Sequence, residues 1–240
     1  MERKLATLTK SLVAHGFHRG ITPQFTYQLE NTGAKVASLS LHVVGSKSAI
    51  AEGVLLAALT NIARENGLRD YTVHINSVGD KESAARYVRE LTAYLRSHLN
   101  DLPGYARDEM QGGNAIRAFS RLVEKQHELA GGAPNPMEFL NDESRAHLRN
   151  VLEYTENMGI PYELDPTVLG SNDCWQHTIF ELRLPDDNGN QITFARGGRH
   201  DTLAQKTFRV EMPAVSVVIE HEIRGRTKPK RRTRVEPQFF

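Results

Sequence analysis

The chain has 240 residues, 39% hydrophobic and 25% charged, ordinary for a globular chain and enough for one large or two small domains. No apolar run approaches the ~18 residues of a membrane-spanning helix, and Met1 to Leu5 leads into a mixed stretch without a secretory signal. This excludes a membrane protein and sets a cytoplasmic location as the expectation. The single cysteine, Cys174, rules out an intramolecular disulfide framework, and ten histidines without CxxC or HExxH spacing give no metal motif.

The formal net charge of +1 hides an asymmetry. Residues 224–234 hold seven of the 30 basic side chains and no acid, so the remainder, with 23 basic and 29 acidic groups, is mildly acidic. Such a run, with Arg226, Lys228, Lys230, Arg231, Arg232 and Arg234, reads as a solvated linker or as an attractor of phosphate-rich partners.

Pro23 to Gly45 reads as an antiparallel hairpin. Two β-prone runs, Phe25-Tyr27-Leu29 and Val36-Leu39-Leu41-Val43, flank the turn-forming Glu30 to Ala34. From Ser46 the period changes to 3.6, predicting a helix that buries Ile50, Val54, Ala58, Leu59 and Ile62 behind a serine N-cap. Tyr71 to Asn76 alternates as a strand, and a second helix after Gly79-Asp80 should bury Ala84, Val88, Leu91 and Leu95. Residues 101–141 are rich in Gly and Pro, with one helix expected near Ile116–Leu129; Asp142 to Met158 is helical again and ends at Gly159 and Pro161. The last third returns to strands: Trp175–Leu184 and Gln191–Ala195 around a loop containing Asn188-Gly189, then the apolar Pro213–Glu220, placed centrally in the sheet. The order predicts an α+β fold, a mainly antiparallel sheet with helices packed on it.

Four ordered stretches resemble the catalytic core of the histidyl-tRNA synthetases, a class II aminoacyl-tRNA synthetase family. They are Ile75 to Asp80 followed by Arg86-Tyr87 and Leu91; Asp165-Pro166 through Thr178-Ile179-Phe180-Glu181; Gly197-Gly198-Arg199-His200-Asp201-Thr202-Leu203; and Pro213 to His221. The resemblance covers about residues 20–225. It implies a class II synthetase-like core over 1–223, a mostly helical insertion at about 80–162, and a basic tail over 224–240. That tail looks like the approach to the family's C-terminal anticodon-binding domain, and the chain stopping on Phe239-Phe240 sets the expectation that it ends inside a longer parent or has lost that domain. About 20 residues precede the hairpin, too few for the family's motif 1 and its dimer interface.

Where the family carries its chemistry the sequence departs from it. Class II activation builds charge on phosphoryl oxygens that fixed cations must stabilise, a task suited to arginine. Counting back from Gly45 puts Gln24 and Thr26 at the family's Arg-x-Glu, and Ser38 and His42 at the Gln and Glu that hold the substrate. The arginine facing the α-phosphate falls on Gly170, the Tyr pair becomes Cys174-Trp175, and the adenine-stacking arginine falls on His221, with Val218 at a family glycine. The resemblance therefore implies a binding or regulatory paralogue with no cofactor. Two alternatives stand beside it: a divergent active histidine–tRNA ligase using ATP and Mg, with cations from elsewhere such as Arg196 or Arg199, and a tRNA-binding module using the tail and the insertion. A protein partner or a homodimer is expected with the first reading.

Each remaining candidate has a structural and a functional reading. Arg199 with Asp201 could hold a ligand or form a structural ion pair. Glu181 could face the amino-acid site or pair with Arg183. His177 and His200 read most simply as partly buried rings with satisfied nitrogens. Trp175 could stack on a base or fill the core, and Cys174 reads as core filling.

Overall fold

A computed structural model describes residues 24–31, 36–169, 175–186, 188–209 and 212–222. Seven strands form one sheet: β1 (Gln24–Asn31), β2 (Val36–Val44), β3 (Thr72–Gly79), β4 (Tyr162–Leu164), β5 (Gln176–Pro185), β6 (Gln191–Arg199) and β7 (Ala214–Glu222), in the order β1-β2-β7-β6-β5-β3-β4. Every neighbouring pair is antiparallel except β3 with β4. The α+β class is as expected, and the apolar last run lies inside the sheet between β2 and β6. Short β4 was not foreseen: three residues beside Pro161 give little alternation to read. The turn expected at Glu30 to Ala34 falls largely outside the described residues.

The helices are α1 (Ile50–Glu65), α2 (Lys81–Ser97), α3 (Gly104–Gln111), α4 (Ala115–Glu124), α5 (Asp142–Asn157) and α6 (Asp201–Phe208), with 3-10 turns at Glu128–Ala130 and Pro136–Phe139. None of the described helices is long and apolar enough to cross a membrane. On one face of the sheet, Val43, Val73, Ile75, Phe180, Leu182 and Val217 pack with Leu55, Leu56 and Leu59 of α1 and Leu148 and Val151 of α5. The opposite face is covered only at β3 and β5, where Val78 and Ile179 join Tyr87, Leu91 and Leu95 of α2 and Phe119 and Leu122 of α4. At the β1 edge, Phe25, Tyr27 and Leu29 remain exposed.

Two expected stripes are rotated. In α1 the buried set is Ala51, Glu52, Leu55, Leu56, Leu59 and Ala63, while Ile50 and Val54 stay 49% and 39% exposed; the helix turns so that Glu52 reaches a cation below it. Ala49 occupies its N-cap, without a side-chain cap bond. In α2, Ser83 and Tyr87 are buried in place of Val88. Here Asp80 caps α2 through Ser83 N at 2.9 Å, Asn141 caps α5 through Ser144 N at 2.8 Å, and Asn141 Nδ2 donates to Asp80 Oδ2 at 3.2 Å. Ser83 Oγ accepts from Asn141 N, completing a hub that ties two helix starts together. Gly79, at φ +72°, enters this hub, where a Cβ would lie 2.7 Å from Leu140 and Ser83.

Gly197 and Gly198, from the third resembling stretch, lie inside β6. A Cβ on Gly197 would overlap the Ser216 carbonyl oxygen and come within 2.8 Å of the Phe180 ring. The glycine lets β5 and β7 close on β6 where the strand carries Arg199 beneath α1.

Candidate functional site

Register divides the candidate residues between the two faces. Val43 lies on the helix-covered face, so His42 and Val44 lie on the other, together with their partners Thr26 and Gln24. Ser38, Ser40, Ser216 and Val218 share that open face, and Arg196 and Gly198 of β6 follow from their pairing with Val218 and Ser216. Arg199 pairs with Val215 and belongs to the covered face.

There Arg199 is 1% exposed, and its guanidinium is enclosed by acceptors. Nε and Nη2 donate to the two oxygens of Glu52 at 2.7 and 2.6 Å, Nη1 to Ser46 O at 2.9 Å and to Asp201 Oδ1 at 3.3 Å, and Nη2 also to Ser48 O. Glu52 also bonds His147 Nε2 at 2.8 Å, and Asp201 accepts from Ala214 N. Burial alone would raise the Glu52 carboxyl, but the bonds from His147 and Arg199, with their charges, outweigh it and hold it below the ordinary glutamate range. Arg199 and Asp201 thus form an ion pair inside a larger network. Sequence reasoning missed Glu52 and His147; the available signal was an acid set among the apolar positions of α1.

Beside the network sit two histidines. His177 adopts φ +50°, unusual for a residue with a Cβ, and its ring centre lies 4.9 Å from that of His147. His200 Nε2 bonds Ser216 Oγ at 2.8 Å, and its ring lies 6.0 Å from half-buried Trp175. The expectation of satisfied rings fails for both: His177 Nδ1 and His200 Nδ1 are buried without a partner, as is Thr178 Oγ1. The β5–β6 register shifts between Gln176 and Ile179, the stretch that carries His177 and Thr178. Burial lowers the pKa of His177, with the His147 and Arg199 charges acting the same way against Asp201 and Glu52; burial likewise lowers His200 and His42.

Glu181 pairs with Arg183, as its structural reading expects. Its carboxylate accepts from Arg183 Nε at 2.9 Å, Arg196 Nε at 2.7 Å and Thr193 Oγ1 at 3.2 Å, while Arg183 Nη1 also reaches Asp165 Oδ2 at 2.8 Å. The cluster lines a polar cavity of about 340 Å³ against Ser120, Glu124 and Gln126 at the end of α4.

Gln24 is exposed at the start of β1, and His221 is placed only by its backbone, opposite Ala37 on β7. Gly170, Cys174, Arg226, Lys228, Lys230, Arg231, Arg232 and Arg234 lie outside the described residues. Among the described residues, no group of three or more His, Cys, Asp or Glu side chains is arranged to hold a metal ion.

Two outcomes follow from this geometry. Glu52→Gln leaves the buried Arg199 charge with only the longer contact to Asp201 and should cost about 3 kcal/mol in urea denaturation, whereas Glu65→Gln, exposed on the same helix, should cost less than about 0.5 kcal/mol. His177 and His200 bind protons less readily in the fold than in the unfolded chain. Their contribution is therefore complete above the ordinary histidine value of 6.5 and is lost as pH falls through it toward the lowered folded values. The melting temperature should drop between about pH 7.5 and about pH 5.5, and His177→Asn, which tolerates positive φ, should make that drop shallower.

No family model matches the sequence. Among curated proteins, the chain is 30% identical over 204 residues to the histidine–tRNA ligase of Acaryochloris marina, covering 84% of this chain and 47% of that protein. It is 30% identical over 222 residues to the one from Rubrobacter xylanophilus, covering 88% and 51%. Among solved structures, apo Staphylococcus aureus histidyl-tRNA synthetase superposes with a TM-score of 0.64 at 21% identity, over 89% of this chain and 52% of that one. An ATP phosphoribosyltransferase regulatory subunit/histidyl-tRNA synthetase from Bacillus halodurans gives a TM-score of 0.50 at 18% identity, over 90% and 60%. The chain spans about half the length of the curated relatives it matches. It is a histidyl-tRNA synthetase-like chain that carries the class II-like α+β fold of that family.

Proposed function

We propose that this chain is a catalytically degenerate relative of the histidine–tRNA ligases that works by binding a protein or RNA partner in the cytoplasm, without forming an aminoacyl-adenylate. The observation that carries this reading is the fate of its arginines. Arg199 is enclosed by Glu52 and Asp201 on the covered face, while on the open face Arg183 and Arg196 both end on Glu181. Gln24, Ser38 and His42 stand where the family resemblance puts an arginine, a glutamine and a glutamate that contact the substrates. Removing one preorganised donor to a developing anion costs about 10²–10³ in rate, and here several are replaced together. The fold is compatible with a regulatory role, since one structural neighbour is described as a regulatory subunit.

Histidine-dependent ATP–pyrophosphate exchange tests the reading: no exchange above background is expected from the full chain with Mg, and a rate near that of an ordinary ligase would make the chain a divergent active enzyme instead. Contact with tRNA through residues 224–234 belongs to the same proposal, supported by seven cations without an acid. Truncation after Ile223 should abolish tRNA retention in a filter assay, and the intact chain's affinity should fall steeply with salt; retention unchanged by the cut would remove the tail from the proposal.

A further inference from the structure

Helix α1 does not cover its face of the sheet as far as the β1 edge. Phe25, Tyr27 and Leu29 of β1 pair with Val43, Leu41 and Leu39 of β2 and so share the face on which Val43 is packed. They are nevertheless 66%, 75% and 68% exposed. Between β1 and α1 runs a groove of about 210 Å³, with Phe25 and Tyr27 on one wall, Val54 and Ala58 on the other, and Leu41 also lining it.

Both walls carry the sequence pattern of a buried surface. Along β1 apolar and polar residues alternate, and along α1 Ile50, Val54, Ala58 and Ile62 recur every fourth residue beside the stripe that meets the core. Helix α1 thus has a second apolar stripe, whose members Ile50 and Val54 are exposed. A contiguous apolar surface of this kind marks a contact site. The groove also follows the outermost strand of the sheet, the edge most open to stray pairing.

Residues 1–23, outside the described residues, lead directly into β1. Among them Met1, Leu5, Leu8 and Leu12 recur at helical spacing, Arg3, Thr7 and Lys10 fall on the opposite side, and Gly16 follows as a helix-ending residue would. We propose that residues 1–15 form an amphipathic helix that lays this apolar stripe into the β1–α1 groove of its own chain, with Arg3 and Lys10 left in water. The lengths agree: Met1 to Leu12 spans roughly 16 Å along a helix, against roughly 14 Å from Phe25 to Leu29 along the strand. Residues 16–23 reach up to about 26 Å when extended, enough for the chain to turn back over β1. Tethering also favours this occupant, because a short linker holds the segment at an effective concentration on the order of millimolar, which a second copy or a separate partner must exceed.

Photocrosslinking of the full chain tests this directly, with p-benzoylphenylalanine in place of exposed Val54. Irradiation should join position 54 to residues 1–15 of the same molecule, so that an equal mixture of light- and heavy-nitrogen chains yields no mixed-isotope product. A mixed-isotope product would assign the groove to a second copy, and the absence of any crosslink to residues 1–15 would leave it to another partner or to solvent; either overturns the proposal. Melting of full-chain variants gives an independent reading. Leu8→Asp and Tyr27→Asp should each lower the melting temperature by about 4 °C, the double variant by little more than either alone, and Lys10→Asp should leave it unchanged. A bare groove would instead make Tyr27→Asp neutral, and that result, additive losses in the double variant, or equal effects of Leu8→Asp and Lys10→Asp would count against the docked helix. None of these outcomes depends on whether the chain catalyses exchange.

Discussion

A guanidinium taken wholly out of water must find a carboxylate there, and the placement of Arg199 against Glu52 governs much of this molecule. A buried ion pair gives little net stability over an apolar replacement, but it tolerates few geometries, because either charge left alone is severely penalised. The bidentate contact joins the end of β6 to the first turn of α1; His147 brings in α5, Asp201 brings in α6, and Ser46 and Ser48 bring in the segment after β2. Helix α1 buries Glu52 together with Leu55, Leu56 and Leu59 and leaves Ile50 and Val54 exposed, an orientation that serves the ion pair and the apolar core at once.

The same pair shapes the chemistry of the opposite face. With Arg199 committed beneath the helices, Arg183 and Arg196 of the open face both pair with Glu181, and Arg183 also with Asp165. Beside the buried network instead sit groups whose needs are unmet, the Nδ1 atoms of His177 and His200 and the Thr178 hydroxyl. Buried polar groups of this kind mark places where a fold departs from its own packing rules.

Helices α2 to α4 cover the β3 and β5 part of that face, and two cavities open against them, one polar and charged around Glu181 and the other apolar around Tyr87 and Trp175. The hub of Asp80, Ser83, Asn141 and Ser144 fixes this arrangement by locking the starts of α2 and α5 together.

The sequence by itself determined the α+β class, most of the elements and the family, while short β4 and the helices α3 and α6 went unread. Alternation, helical period and Gly-Pro punctuation are local signals, and the matched stretches around Asn76, Glu181, Arg199 and Val215 lie on central strands whose neighbours constrain them. Which face of α1 turns inward, that Arg199 meets Glu52 from 147 residues away, and that the His177 and His200 rings lack partners were decided only by the tertiary structure. Each depends on groups distant along the chain meeting in a low-dielectric interior, where the cost of leaving a charge unpaired exceeds the preference of any local apolar stripe.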